Sequence, residues 1–342
     1  MKLTKLFQAL FASSFILAHT NYIQSQEGEL VFEEIIVTAE KRDESLQSVS
    51  QAVTAITDSE IEAKNITSFV DLSSIVPGVT VAKNEGYKTI ISIRGVGNET
   101  NQNAIAAPSV AYHMDGIFIA SPFSLQTDFI DVQRIEVLRG PQGTLFGQNS
   151  TGGAINVISN KPTTDEQFSK ADITYGDYGM KQLRSSSNFP ISDNVSTKLS
   201  LSAMTREGFT ENLATGQDLD DAHNLSFRTD WMVDLNDTTS LRIFGQYSSV
   251  DRNGAAIRGI DDQSPGMRKL SQNTISKQEL TSKVAAMIFE TDLGFASLKI
   301  LASSQEDDIS VTRDNDRHNF GDPVLSIPGL GAGATYQQAE FR

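Results

Sequence analysis

Arg134-Ile135-Glu136-Val137-Leu138-Arg139-Gly140-Pro141-Gln142-Gly143-Thr144-Leu145-Phe146-Gly147, followed by Thr151-Gly152-Gly153-Ala154-Ile155-Asn156-Val157-Ile158, is the stretch that decides how this chain folds. Two apolar, strand-like pieces, Ile135–Leu138 and Ala154–Ile158, flank a run rich in glycine. Gly140, Gly143, Gly147, Gly152 and Gly153 allow positive φ and close backbone approach, so the run between the strands is expected to be a compact, irregular linker. Gly147 to Gly152 has the spacing of a phosphate loop, but Gly153-Ala154 stands where such a loop needs Lys and Ser or Thr. The charge that would hold phosphates is missing.

Upstream, strand-like and helix-like pieces alternate as in a small mixed α/β domain. Gln51–Ile56 reads as a strand. Thr57-Asp58-Ser59-Glu60 has the capping-box pattern, in which the Thr hydroxyl and the Glu carboxylate satisfy each other's free backbone N–H groups at the start of a helix. Pro77-Gly78 closes a second helical piece. Thr89–Arg94 and Ser109–Met114 are strands, and Asp115-Gly116 signals a two-residue hairpin turn into Ile117–Ile119.

Downstream, from Phe168, the texture changes to longer segments of two-residue alternation. Leu199, Leu201 and Ala203 oppose Lys198, Ser200 and Ser202; Phe227, Trp231 and Val233 oppose Arg228, Asp230 and Asp234. Leu241, Ile243 and Tyr247 oppose Arg242, Gln246 and Ser248, and Ala296, Leu298, Ile300 and Ala302 oppose Ser297, Lys299 and Ser303. Short connections (191–194, 236–239, 292–294) alternate with long polar ones (207–222, 251–277). That asymmetry belongs to a transmembrane barrel with short turns on one side and long loops on the other. Alternation alone is equally compatible with a soluble β-sandwich buried on one face.

The N-terminus, Met1-Lys2-Leu3-Thr4-Lys5 followed by an uncharged apolar stretch from Leu6 to Ala18, reads as a secretory signal. It is shorter than the roughly 20 residues a membrane-spanning helix needs. The 342-residue chain carries 43 Asp and Glu against 28 Lys and Arg, a net charge of -15, which speaks against a nucleic-acid partner. It has no cysteine, which excludes disulfides and thiolate metal sites. His113, His223 and His318 are far apart in sequence, Asp314-Asn315-Asp316 lacks the glycine and distal Glu of a calcium loop, and no nucleophile, base and orienter occur together. No metal site, cofactor or catalytic residue is expected.

The opening stretch, with Leu72-Ser73-Ser74-Ile75-Val76-Pro77-Gly78-Val79, Ile93-Arg94-Gly95-Val96-Gly97 and Met114-Asp115-Gly116-Ile117 in the same order, resembles the plug domain of TonB-dependent outer-membrane receptors. The resemblance is dense over residues 33–160 and extends to the later strands only as pattern. It implies an α+β plug domain followed by antiparallel transmembrane β-barrel strands. About seven strands can be drawn, so the chain is expected to be the N-terminal fragment of a barrel of roughly 22 strands. The expected organisation is a signal peptide at 1–25, a periplasmic tail at 26–45, the plug at 46–162 and a partial barrel at 163–342.

By the same resemblance, Glu33, Glu34, Ile35, Ile36, Val37, Thr38 and Ala39 look like the TonB box. This would be a mobile peptide in the periplasm that adds as a strand to the sheet edge of the energy-transducing TonB protein. A plain edge strand of the plug is the alternative. The gap between the signal and Glu33 is too short for the additional domain of the signal-transducing subgroup. Arg94 and Arg139 are candidates for ion pairs holding the plug in the barrel, since guanidinium groups clamp carboxylates bidentately. Asn98, Asn101, Gln102, Asn103 and Phe123, in the polar plug loops 98–103 and 121–126, are candidates for the substrate-facing apex. The implied function is active import of a scarce nutrient, foremost an iron chelate of the ferric siderophore type, across the bacterial outer membrane, with outer-membrane lipid around the barrel. Cobalamin, haem and oligosaccharide are alternative cargoes. A passive porin or adhesin barrel would carry neither the box nor the plug motif.

Overall fold

The capping box forms as the sequence predicts. Thr57 accepts from the Glu60 backbone N–H, the Glu60 side chain reaches back to the Thr57 N–H, and a short helix α1, Asp58–Ala63, starts there and buries Ile61. The computed structural model describes residues 36–38, 44–84, 88–97, 108–121, 124–260, 262–314 and, for the backbone alone, 336–341. All of them lie in one unit, Ile36–Arg342.

The first part of this unit contains β1 (Ile36–Val37), β2 (Glu44–Ser45), β3 (Val53–Thr57), β4 (Val79–Asn84), β5 (Lys88–Ile93), β6 (Val110–Met114), β7 (Ile117–Phe118), β8 (Val132–Arg139) and β9 (Gly153–Ser159). Five of these form one sheet in the order β3-β8-β9-β6-β7, with β6 parallel to β9 and the other pairs antiparallel. β9 is buried at every position, as a central strand covered on both faces must be. Its glycine start is sterically required, because a Cβ on Gly153 would lie 2.3 Å from the Leu138 carbonyl oxygen. Ile56, Phe69, Leu72, Tyr112, Ile135 and Ile155 belong to the apolar core beneath this sheet.

The segment between β8 and β9 is compact but not wholly irregular, since Gly143–Phe146 makes one helical turn, α2. Gly143 is neither at positive φ nor crowded, so the conformational reason expected for it does not apply.

The second part is a wall. Its eight main strands are β10 (Phe168–Gly176), β11 (Met180–Ser192), β12 (Val195–Arg206), β15 (Ala222–Asn236), β16 (Thr239–Arg252), β18 (Lys277–Asp292), β19 (Ser297–Asp314) and β20 (Tyr336–Phe341), hydrogen-bonded in that order. Every neighbouring pair is antiparallel. The two long connections are not plain loops. They contribute β13 (Thr210–Asn212), β14 (Gln217–Leu219) and β17 (Lys269–Leu270), which pair into a small sheet joining one loop to the other.

Which face of the wall is covered decides between a soluble sandwich and a membrane barrel. On β15, Arg228 and Asp230 are 3 % and 2 % exposed, whereas Phe227 and Trp231 are 42 % and 41 % exposed. Lys198, Ser200, Ser202 and Arg242 are likewise buried, while Leu199, Ile243, Leu298 and Ile300 face outward. A soluble sandwich buries its apolar face; this wall covers its polar face with the plug and presents the apolar one, as a barrel in lipid does. Among the described residues no helix is long and apolar enough to cross a membrane, which leaves the strands to do so.

Trp231 is the sequence's one tryptophan and stands on the outward face. In the membrane-inserted protein, with Trp231 as the only tryptophan, its fluorescence is expected to be quenched by lipids brominated in the acyl chain and protected from aqueous iodide. Quenching by iodide alone would place this face in water.

Candidate functional site at the seam of plug and wall

The hairpin between β6 and β7 turns on Asp115 and Gly116, with φ of 52° and 86°. Positive φ at both central residues defines the tight turn that Asp-Gly favours. It projects the Asp115 carboxylate out of the plug sheet into a fully buried node. Ser159, at the end of β9, donates to it from its backbone N–H at 2.9 Å and from its hydroxyl at 2.8 Å. From the wall, Arg228 Nη2 approaches at 2.7 Å and Arg242 Nη1 at 3.4 Å. The two arginines stand on the neighbouring strands β15 and β16 and share a second carboxylate, Asp230, at 2.9 Å and 2.6 Å. Arg228 also lies 3.9 Å from the Phe244 ring centroid, a cation–π contact. Burial alone would raise the Asp115 pKa, but Arg242 and Arg228, with the hydrogen bonds from Ser159, outweigh it and hold the carboxyl at about 2.

The rest of the seam repeats this polarity. Plug Asp131 meets wall Lys198 at 2.7 Å, with both side chains buried. Plug Asp128 accepts from wall Asn224 at 3.0 Å, and burial raises its pKa. Gln278 donates to Gln126 at 2.9 Å and Gln305 to Ser124 at 3.3 Å. Between these polar contacts lies one dry patch, where Ile117 at the hairpin packs on Phe244, Val284, Ala286 and Ile288 of the wall.

At the buried ion pairs of the seam the plug supplies the carboxylates and the wall the cations, which corrects the sequence expectation for Arg94 and Arg139. Arg94 is exposed in a tight turn, with its backbone N–H donated to Gly78, and Arg139 donates to Thr54 Oγ1 at 2.6 Å within the plug sheet. Neither makes an ion pair among the described residues. The physical reason for Arg139 is that β8 pairs with β3, so its side chain finds a neighbour on its own sheet. Asp115, Asp131, Lys198, Arg228, Asp230 and Arg242 were missed as a site. Lys198, Arg228, Asp230 and Arg242 were legible as the polar face of alternating strands, but not as partners of the plug.

Of the segment 33–39, expected to be the TonB box, Ile36, Val37 and Thr38 are described; Glu33, Glu34, Ile35 and Ala39 lie outside the described residues. β1 pairs with β2, Ile36 opposite Ser45, and Val37 is buried. Thr38 donates to the fully buried Glu136 on β8, from its N–H at 2.7 Å and from its hydroxyl at 3.0 Å, and Glu136 also pairs with Arg134 at 2.9 Å. A mobile peptide was expected; these three residues are instead docked as an edge of the plug, because Glu136 offers a buried acceptor that their backbone can satisfy. Asn98, Asn101, Gln102, Asn103 and Phe123 lie outside the described residues. Within the second candidate loop, Ser124–Gln126 is a 3-10 turn buried against the wall.

This architecture defines a class of protein, a plug seated against the polar inner face of a lipid-facing β-wall. Residues 45–154 match the TonB-dependent Receptor Plug Domain, so the chain carries a plug domain of the kind found in TonB-dependent receptors of the bacterial outer membrane. It is 30 % identical over 225 residues to the pesticin receptor of Yersinia pestis, covering 64 % of this chain and 32 % of that protein. It is 30 % identical over 161 residues to the vitamin B12 transporter BtuB of Vibrio vulnificus, covering 45 % and 25 %. Its fold matches the ferric yersiniabactin uptake receptor FyuA of Yersinia pestis with a TM-score of 0.66 at 21 % identity, covering 77 % of this chain and 42 % of that one. The chain thus spans about a third or less of the length of these curated relatives.

Replacing Asp115 by Ala leaves two buried guanidinium groups short of a carboxylate, at an expected cost of about 3–5 kcal/mol to plug seating. Protease sensitivity of the plug and leakage of small solutes through the receptor should both rise while the barrel keeps its heat-modifiable migration. The ordinary Asp pKa is 3.8, so the depressed value means that the Asp115 contribution is fully present above about pH 4 and is lost as pH falls through about 2. Parent protein is therefore expected to hold its plug at pH 4–5 as it does at neutral pH. Unchanged leakage in Asp115→Ala would show that the other seam contacts seat the plug without this carboxylate.

Proposed function

We propose that this chain belongs to a transporter that actively imports a scarce nutrient, foremost a ferric siderophore, across the outer membrane, powered through TonB. In this reading residues 1–25 export the chain, 26–45 carry the coupling segment on the periplasmic side, 46–162 form the plug and the following strands form the barrel wall. The observation that carries the reading is the docking of Thr38 on Glu136. It attaches the segment in the position of the TonB box to the central plug sheet, so a pull on the segment acts directly on the domain that closes the lumen. The ferric cargo is suggested by the iron-uptake receptor whose fold the chain shares. A second cargo, cobalamin, is favoured by the similarity to the vitamin B12 transporter. No role as an enzyme is proposed.

A proline at Ile36 removes a backbone donor and fixes φ in a segment that must pair as a strand with its partner. Cells carrying Ile36→Pro in the complete receptor are expected to bind the ferric chelate normally and to lose its uptake, as parent cells do when treated with an uncoupler. Uptake that survives both treatments would make the barrel a passive pore. Growth support from cyanocobalamin, but from no ferric chelate, would move the cargo to the second reading.

A further inference from the structure

The chain leaves the plug and enters the wall through residues 160–167, and the wall holds this linker by its main chain. Asn188, on β11, is fully buried. Its side-chain amide accepts from the Thr163 backbone N–H at 3.1 Å and donates to the carbonyls of Thr163 and Glu166 at 2.9 Å and 2.7 Å. One side chain thus pairs with backbone as a strand edge would. Asn188 stands in a cross-strand row with Phe168 of β10 and Lys198 of β12, and the Lys198 ammonium lies 5.3 Å from the Phe168 ring centroid. Lys198 grips one carboxylate oxygen of Asp131. The other oxygen accepts from the Asn160 side chain at 3.0 Å, and the Asp131 carbonyl accepts from the Asn160 N–H at 2.9 Å. Ser159, one residue earlier, already belongs to the Asp115 node.

Farther round the wall the seam is held differently. Ser124 and Gln126 reach Gln305 of β19 and Gln278 of β18 through single hydrogen bonds between neutral side chains. Water can take over such a bond while the main chain on both sides stays where it is. The linker offers no such step. To leave Asn188 it must strip partners from one N–H, two carbonyls and a fully buried amide together, and each group left unpaired in a dry site bears its desolvation cost.

We propose that Asn188 and Lys198 are positioning residues for uptake. They keep the 160–167 linker fixed on β11 and β12 while the plug moves, so that the plug swings about this clasp and its 124–126 turn parts from β18 and β19. The cargo then passes on the β18–β19 side. The plug returns to the same seat because its last residues never leave the wall. The inference deepens the uptake reading and rests on it.

The chain has no cysteine, so introduced pairs can be joined without background by a short reducible bis-thiol reagent in cells producing the complete receptor. The probe is whichever of ferric citrate, a ferric tris-catecholate, a ferric tris-hydroxamate or cyanocobalamin the parent imports fastest. Joining Thr163→Cys to Asn188→Cys is expected to leave uptake within about twofold of the reduced state, whereas joining Gln126→Cys to Gln278→Cys should lower it at least about tenfold until reductant is added. In isolated membranes Asn188→Ala should speed amide exchange of residues 160–167 by about tenfold or more. In cells the same variant should leak small solutes when energised and stay tight under an uncoupler. Heat-modifiable migration checks that each variant is folded. Uptake lost on joining 163 to 188, or unchanged on joining 126 to 278, overturns the pivot and leaves the uptake reading standing. Parent-like exchange in Asn188→Ala overturns the clasp, and equal leakage with and without the uncoupler reduces Asn188 to a structural residue. A parent that imports none of the four probes overturns the uptake reading and the pivot with it.

Discussion

Arg228 and Arg242 point inward from adjacent strands, away from bulk water, and the single carboxylate of Asp230 beside them cannot balance two guanidinium charges. The plug brings the second carboxylate, Asp115, on the tip of a turn whose backbone geometry only a few residue types adopt. A buried ion pair of this kind adds little net stability over an apolar contact of the same size, because both partners lose their hydration. Its effect is on placement. Any other seating of the plug strands charges out of water, so one node sets where the β6–β7 hairpin, the end of β9 and the two wall strands meet. The dry contact of Ile117 with Phe244 and Val284 forms beside that node and follows from it.

The same constraint explains why plug and wall need each other. A strand that presents Phe227 and Trp231 on one face and Arg228 and Asp230 on the other is unstable with either face in the wrong solvent. Lipid takes the apolar face, and the plug takes much of the polar one by offering Asp115, Asp131, Asp128, Ser124 and Gln126 to Arg228, Lys198, Asn224, Gln305 and Gln278. Because so much of the seam is polar, water can replace its hydrogen bonds one at a time. A core of Leu and Ile offers no such stepwise route. A domain held in this way can loosen while the strand ladders around it stay paired.

The β1 segment, residues 36–38, is attached by a lesser version of the same device. Its backbone and hydroxyl satisfy Glu136, which is fully buried in a strand paired on both sides, with β3 and β9. Among its described residues two, Ile36 and Val37, pair with β2.

Much of this was legible in the residues because it is local. Two-residue alternation marked the wall strands, Asp115-Gly116 marked the hairpin turn, and Thr57 with Glu60 marked the start of the helix, each through contacts between near neighbours. The assignment of charge across the seam was not legible. Arg228 and Asp115 are 113 residues apart, and nothing in either segment says which carboxylate a lumen-facing arginine will meet. Arg94 and Arg139 were expected to clamp carboxylates as arginines that flank turns, yet their own surroundings in the plug left them without carboxylates among the described residues. The loop sheet was hidden for the same reason, since Asn212 and Gln272 meet although they stand 60 positions apart in the sequence. By itself the sequence determined periodicity, turns and caps, and with them the presence of a plug and a lipid-facing wall. Only the tertiary structure decided which side of the seam is acidic and that Thr38 docks on Glu136, because those outcomes depend on which distant groups lose their water together.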